Sequence, residues 1–125
     1  MPVIKSPLLF ESVNDCKNMN VIFDSSINIS CINAIQLTDF AEPQQLCRFR
    51  NISFSADSQP IVVKHVVCLD FFIKGILLSD EFFVVSHLYI DAIIGMPTIR
   101  KWRIKLNFEE NKVEVDPKVA KLQLI

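Results

Sequence analysis

Glycine is scarce in this chain: only Gly75 and Gly95 occur among 125 residues. A β-rich chain usually places glycine in its turns, so each of the two marks a spot where the backbone is tight. Paired cysteines are missing too. Cys16, Cys31, Cys47 and Cys68 are widely and unevenly spaced, with no C-x-x-C among them. That argues against a zinc site, and neither a metal nor a cofactor is expected. No apolar run is long enough to span a bilayer. Residues 1–10 hold one lysine and two prolines in place of a signal peptide's apolar core. The expectation is therefore a cytoplasmic chain with buried free thiols. On the same ground the Asn-x-Ser sequons at Asn28 and Asn51 are read as chance. Excess charge of one sign is also lacking. With 13 basic and 14 acidic residues the net charge is −1, which gives no reason to expect nucleic acid or a membrane as partner. His65 and His87 have no companions at metal-ligand spacing and read as exposed strand residues.

What is present is apolar and β-forming. Half the residues are hydrophobic and 22% are charged, a globular composition for one domain spanning 1–125, with its core at about 20–115. Residues 20–24 form a short apolar strand ending in a polar tip. Residues 29–37 suit one or two helical turns, and 39–45, containing Pro43, a loop. The segment 47–55 is rich in β-formers, and Ala56, Asp57, Ser58 and Gln59, followed by Pro60, make a turn. Residues 61–73 and 76–85 are long β-branched and aromatic runs joined by Lys74-Gly75, the pattern of a hairpin. Residues 92–94 form a buried strand that stops at Gly95, and Pro97 opens a short helix through Trp102. Residues 104–108 alternate as a half-buried strand, and 113–115 pair back on it. Many short strands with one short helix near the end give an all-β barrel or sandwich.

Two segments carry the chemistry. Val21-Ile22-Phe23-Asp24-Ser25-Ser26 delivers an acid and a hydroxyl to the end of an apolar strand. Asp91-Ala92-Ile93-Ile94-Gly95-Met96-Pro97, followed by Trp102 and by Leu106-Asn107-Phe108, closes the domain. The second segment resembles the closing motif of retroviral and retrotransposon proteases, and Asp24-Ser25 stands where that retropepsin-like family has its catalytic acid and hydroxyl. The resemblance implies an all-β, retropepsin-like closed barrel with one short C-terminal helix, working as a homodimer on a peptide or polyprotein. It implies Asp24 as the catalytic residue, with Ser25 and Ser26 supporting the dyad and residues 56–59 forming a flap tip. Ile93, Ile94 and Gly95 form the closing motif, Ile27, Leu106 and Phe108 lie at the dimer interface, and Asp91 is structural. Ser26 replaces the family's glycine, Ile27 its usual alanine, and the flap turn has no glycine. If the backbone at residue 26 is left-handed, serine there costs about 1 kcal/mol per chain. Two other readings stand beside the peptidase. One is a catalytically inactive retropepsin fold kept for dimerisation or peptide binding. The other is an unrelated β-barrel that binds a small ligand.

Overall fold

The computed structural model describes residues 3–119. In chain order these form β1 (Ile4–Glu11), β2 (Cys16–Phe23), β3 (Cys31–Asn33), a 3-10 turn (Ala34–Leu37), β4 (Gln44–Ile52), β5 (Ile61–Ile73), β6 (Ile76–Val85) and β7 (Ala92–Ile94). Helix α1 (Met96–Lys101) follows, then β8 (Lys105–Asn107) and β9 (Lys112–Glu114). The hydrogen-bonded order β1-β2-β7-β3-β6-β5 returns to β1 through a β1–β5 pairing, so six strands close a barrel. β4 adds to β5 outside the ring, and β8–β9 form a separate ribbon. The ring is mixed: β7 runs parallel to β2, and β3 parallel to β6.

The longest hairpin follows directly from its residues. β5 and β6 pair from Val66↔Phe83 to Ile73↔Ile76. Their turn needs two left-handed residues, and Lys74 (φ 50°) and Gly75 (φ 79°) supply them. That is the type I′ geometry whose twist matches a tight hairpin. Alternation puts Leu69, Phe71 and Ile73 inside. Phe71 meets Phe10 and Phe82 with ring centroids 5.7–5.8 Å apart, all three fully buried. Phe82 stands edge-to-face to both other rings, while Phe10 and Phe71 are tilted, and such contacts add to the burial itself. Trp102 is buried where α1 meets the barrel, and its indole N–H donates to the Ser79 carbonyl at 2.9 Å.

Several expectations need correction. The strand expected at 20–24 begins at Cys16, because β1 pairs with β2 along its whole length. Within 29–37 a buried strand, Cys31–Asn33, precedes the 3-10 turn, so the chain has a second short helical element besides α1. The four thiols are free, but only Cys31 is buried; Cys16, Cys47 and Cys68 are exposed. His65 lies exposed on β5, whereas His87 sits in a turn with φ 60°. Among the described residues no helix is long and apolar enough to cross a membrane.

Candidate active site

Val21, Ile22 and Phe23 are buried, Asp24 is half-buried, and Ser25 and Ser26 are exposed. The apolar strand thus anchors a carboxylate at the edge of solvent. The parallel pairing of Phe23 with Ile94 fixes where it stands, and the Asp24 N–H extends that ladder by donating to the Ile94 carbonyl at 3.0 Å. Ser26 then binds the carboxylate twice. Its backbone N–H donates to Asp24 Oδ1 at 2.9 Å and its hydroxyl to the same oxygen at 2.6 Å. The first bond needs no particular side chain; the second exists because the residue is serine. Ser26 is not among the residues with positive φ, so the left-handed strain considered from the sequence does not arise.

The closing motif holds this loop from behind. Gly95 caps α1 with φ −95°, an extended backbone open to any residue. Glycine is required there by space. An added Cβ would overlap the Ile29 carbonyl oxygen and lie 2.7 Å from that of Ile27. The Met96 N–H donates to the Ile27 carbonyl at 2.8 Å, and the Gly95 N–H to Ser30 Oγ at 3.0 Å. A polar relay continues from there. Ser30 and Thr98 hydroxyls meet at 2.6 Å, and Thr98 donates to Asp80 Oδ2 at 2.6 Å. Asp80 Oδ1 faces Lys101 at 3.5 Å. Since the Thr98 hydrogen goes to Asp80, the Ser30 hydroxyl donates to Thr98 while accepting from Gly95. Ser30 and Thr98 are the only buried polar residues among those described. Their spread over three elements hid this network from the sequence reading. The hint was a Ser and a Thr at positions where the pattern is otherwise apolar.

Asp91 is structural, as the resemblance implied: it accepts from the Asn20 N–H at 2.8 Å and the Gln36 amide at 2.9 Å. Ile27 turns inward and is buried with Cys31, Val63, Val85, Leu88 and Ile93 in a second apolar cluster. Ile52, Phe54 and Ile61, at the turn end of the β4–β5 hairpin, pack on that cluster. Between them a cleft of about 220 Å³ runs from Ile27–Ile29 to Asn51–Phe54, so the turn end of the hairpin faces the segment that follows Asp24. Residues 56–59 lie exposed at the hairpin tip. That turn closes without glycine, because the Ser58 hydroxyl accepts from the Ser55 N–H at 3.1 Å and donates to the Ser55 carbonyl at 3.0 Å. Leu106 packs partly buried against the main core of its own chain, while Phe108 is half exposed.

Two more groups lie near the site: Cys31, expected from the sequence as a buried free thiol, and Tyr89, which the sequence did not single out. Burial pushes the Cys31 thiol up to about 12, against a smaller opposing hydrogen bond from the Ile93 backbone. Tyr89, exposed on the turn between β6 and β7, has its phenol raised by partial burial and then by the charges of Asp24 and Cys31. An aromatic ring therefore stands within electrostatic reach of the carboxylate.

No family model matches the sequence, and no curated protein does. Among solved structures the chain resembles the retroviral protease-like domain of Ddi1 from Leishmania major, with a TM-score of 0.65 and 16% identity. The alignment covers 93% of this chain and 90% of that one. The fold is retropepsin-like; at that identity the likeness speaks to architecture alone.

Proposed function

We propose that the chain is an aspartic endopeptidase of the retropepsin type, with Asp24 as its catalytic residue and a two-fold homodimer as its working form. The observation that carries this reading is the Asp24 loop itself. A carboxylate sits at the end of a buried strand, its backbone N–H bound to Ile94 and one oxygen held by the Ser26 N–H, and the loop that follows it shares a cleft with the turn end of the β4–β5 hairpin. One chain supplies one acid, so a second copy has to supply the other. Two carboxylates in contact share a proton, because both cannot ionise together easily. The ionised one accepts a proton from water as that water adds to the scissile carbonyl. The protonated one donates to the carbonyl oxygen. Collapse of the resulting diol then returns a proton to the leaving amine. Residues 56–59 close over the substrate, which binds as an added strand. Ser25 braces the dyad across the axis, and Phe108 adds apolar contact between subunits.

One observation favours the inactive, peptide-binding reading: the Ser26 hydroxyl already occupies Asp24 Oδ1 at 2.6 Å. Cleavage of a peptide library at acid pH, with Asp24→Asn beside the natural chain, decides between them. Cleavage that disappears in Asp24→Asn while the fold persists supports the peptidase. Cleavage undiminished in that variant rules it out. Sedimentation at micromolar concentration should show a dimer, and a clean monomer would remove the second carboxylate on which the chemistry depends.

A further inference from the structure

On the outer wall of the barrel, β4 lifts away from β5. Their register holds at Gln45↔His65 and resumes at Arg50↔Val63, so residues 46–49 stand opposite Lys64 alone. Beside this bulge lies an open groove of about 500 Å³, lined by Leu37, Pro43, Val62 and Val84, with Lys64 and His65 supplying polar groups. Val62 is 52% exposed on it, although a valine surrounded by water gains nothing from its position. Phe49, on the bulge, is also half exposed, with the Lys64 ammonium 5.6 Å from its ring centroid.

Charge is lopsided here. Residues 44–66 contain Arg48, Arg50 and Lys64 against a single acid, Asp57, in a chain whose net charge is −1. None of the three cations belongs to an ion pair among the described residues. β4 is the terminal strand, hydrogen-bonded on one side only. A bulge and positive charges on such a strand also guard against edge-to-edge aggregation. That role requires neither an apolar groove nor a half-exposed phenylalanine beneath a lysine.

We infer that this surface docks an acidic peptide segment. An apolar side chain of the segment enters the groove over Val62 and Val84, and flanking carboxylates meet Lys64 and Arg48. The site is separate from Asp24 and does not depend on catalysis. Apolar contact supplies the anchor, and the cations select against neutral or basic segments.

The test is fluorescence anisotropy with a fluorescein-labelled peptide of alternating glutamate and leucine, its glutamine-for-glutamate counterpart, and a labelled oligothymidylate. The glutamate peptide should bind at low ionic strength and weaken in high salt, as screening shortens the reach of the cations. Lys64→Glu and Val62→Ser, both exposed and so safe for the fold, should each weaken it by about fivefold or more. Asp24→Asn should leave it unchanged. No binding, equal binding of the glutamine peptide, or full affinity in both surface variants would overturn the inference. Loss of binding in Asp24→Asn would place the peptide in the catalytic cleft instead, and tighter binding of the oligothymidylate would make the partner a nucleic acid.

Discussion

Replacing Gly95 by alanine tests whether the closing motif and the Asp24 loop are one packed unit. The backbone at Gly95 is extended, with φ −95°, so alanine brings no conformational strain. The damage is purely steric. The new methyl would overlap the Ile29 carbonyl oxygen and come 2.7 Å from that of Ile27. Both obstacles are backbone, so no rotamer change relieves them. Overpacking of this kind costs about 1–3 kcal/mol. The shift that makes room also loosens the bonds from Met96 to Ile27 and from Gly95 to Ser30, each worth about 1 kcal/mol. The sum, roughly 3–5 kcal/mol, lowers Tm by roughly 10–20 °C in a domain of this size. Gly75→Ala is the control. There φ is +79° and nothing lies within 4 Å of where a methyl group would sit. Only left-handed strain remains, about 1 kcal/mol, which is a few degrees. Thermal unfolding followed by circular dichroism reads both variants. Equal losses, or a larger loss at Gly75, would refute the claim that Gly95 is there for space.

Three further outcomes are expected. Ser26→Gly keeps the backbone bond to Asp24 but frees Oδ1 from the hydroxyl, so kcat/KM on an acid-cleaved peptide should rise about tenfold. An unchanged value in an already active chain would show the hydroxyl to be harmless. Thr98→Val strands the buried Ser30 hydroxyl and an Asp80 oxygen, and should cost roughly 2–3 kcal/mol in denaturant titration, with Thr98→Ser restoring most of it; a loss under half that would mean that water or a neighbour replaces the relay. The Cys31 thiol rises from 9.0 unfolded to about 12 folded. The stability tied to its protonated form is therefore complete below pH 9 and is lost progressively as pH climbs toward 12. The loss reaches about 4 kcal/mol at most. Cys31→Val should flatten that alkaline decline, and in the native chain a thiol reagent should modify Cys16 and Cys47 long before Cys31; early labelling of Cys31 would contradict its burial.

The long elements were legible because one physical rule dominates each. Residues 61–73 and 76–85 announce strands by β-branched and aromatic content, and Lys74-Gly75 announces the turn, so both boundaries match the structure. β1 was not legible. Pro7 interrupts it, and proline normally demotes a strand. The structure accommodates Pro7 opposite Asn20, while Ile4, Leu8 and Phe10 keep the buried alternation. Cys16 to Met19 carry little β-propensity and become strand only because β1 lies alongside. Asp24, Gly95 and Asp91 could be placed from motif spacing. The Ser30–Thr98–Asp80 relay and the inward turn of Ile27 could not, since both depend on which distant elements come together. The solvent exposure of three cysteines has the same origin: a thiol usually lies inside, but strand register decides which side chains reach the interior.

The closed ring also sets an order of events during synthesis. β2 emerges early, yet its neighbour on one side is β7, and the Asn20–Asp91 bond joins residues 71 positions apart. A chain released only as far as residue 60 has no partner for that edge of β2, and nothing to hold the Asp24 N–H. Barrels built from such distant pairings form slowly, on the order of milliseconds to seconds. The carboxylate acquires its geometry only when Ile94 has left the ribosome and the ring has shut. The geometry of the Asp24 loop is therefore withheld from a nascent chain by topology alone.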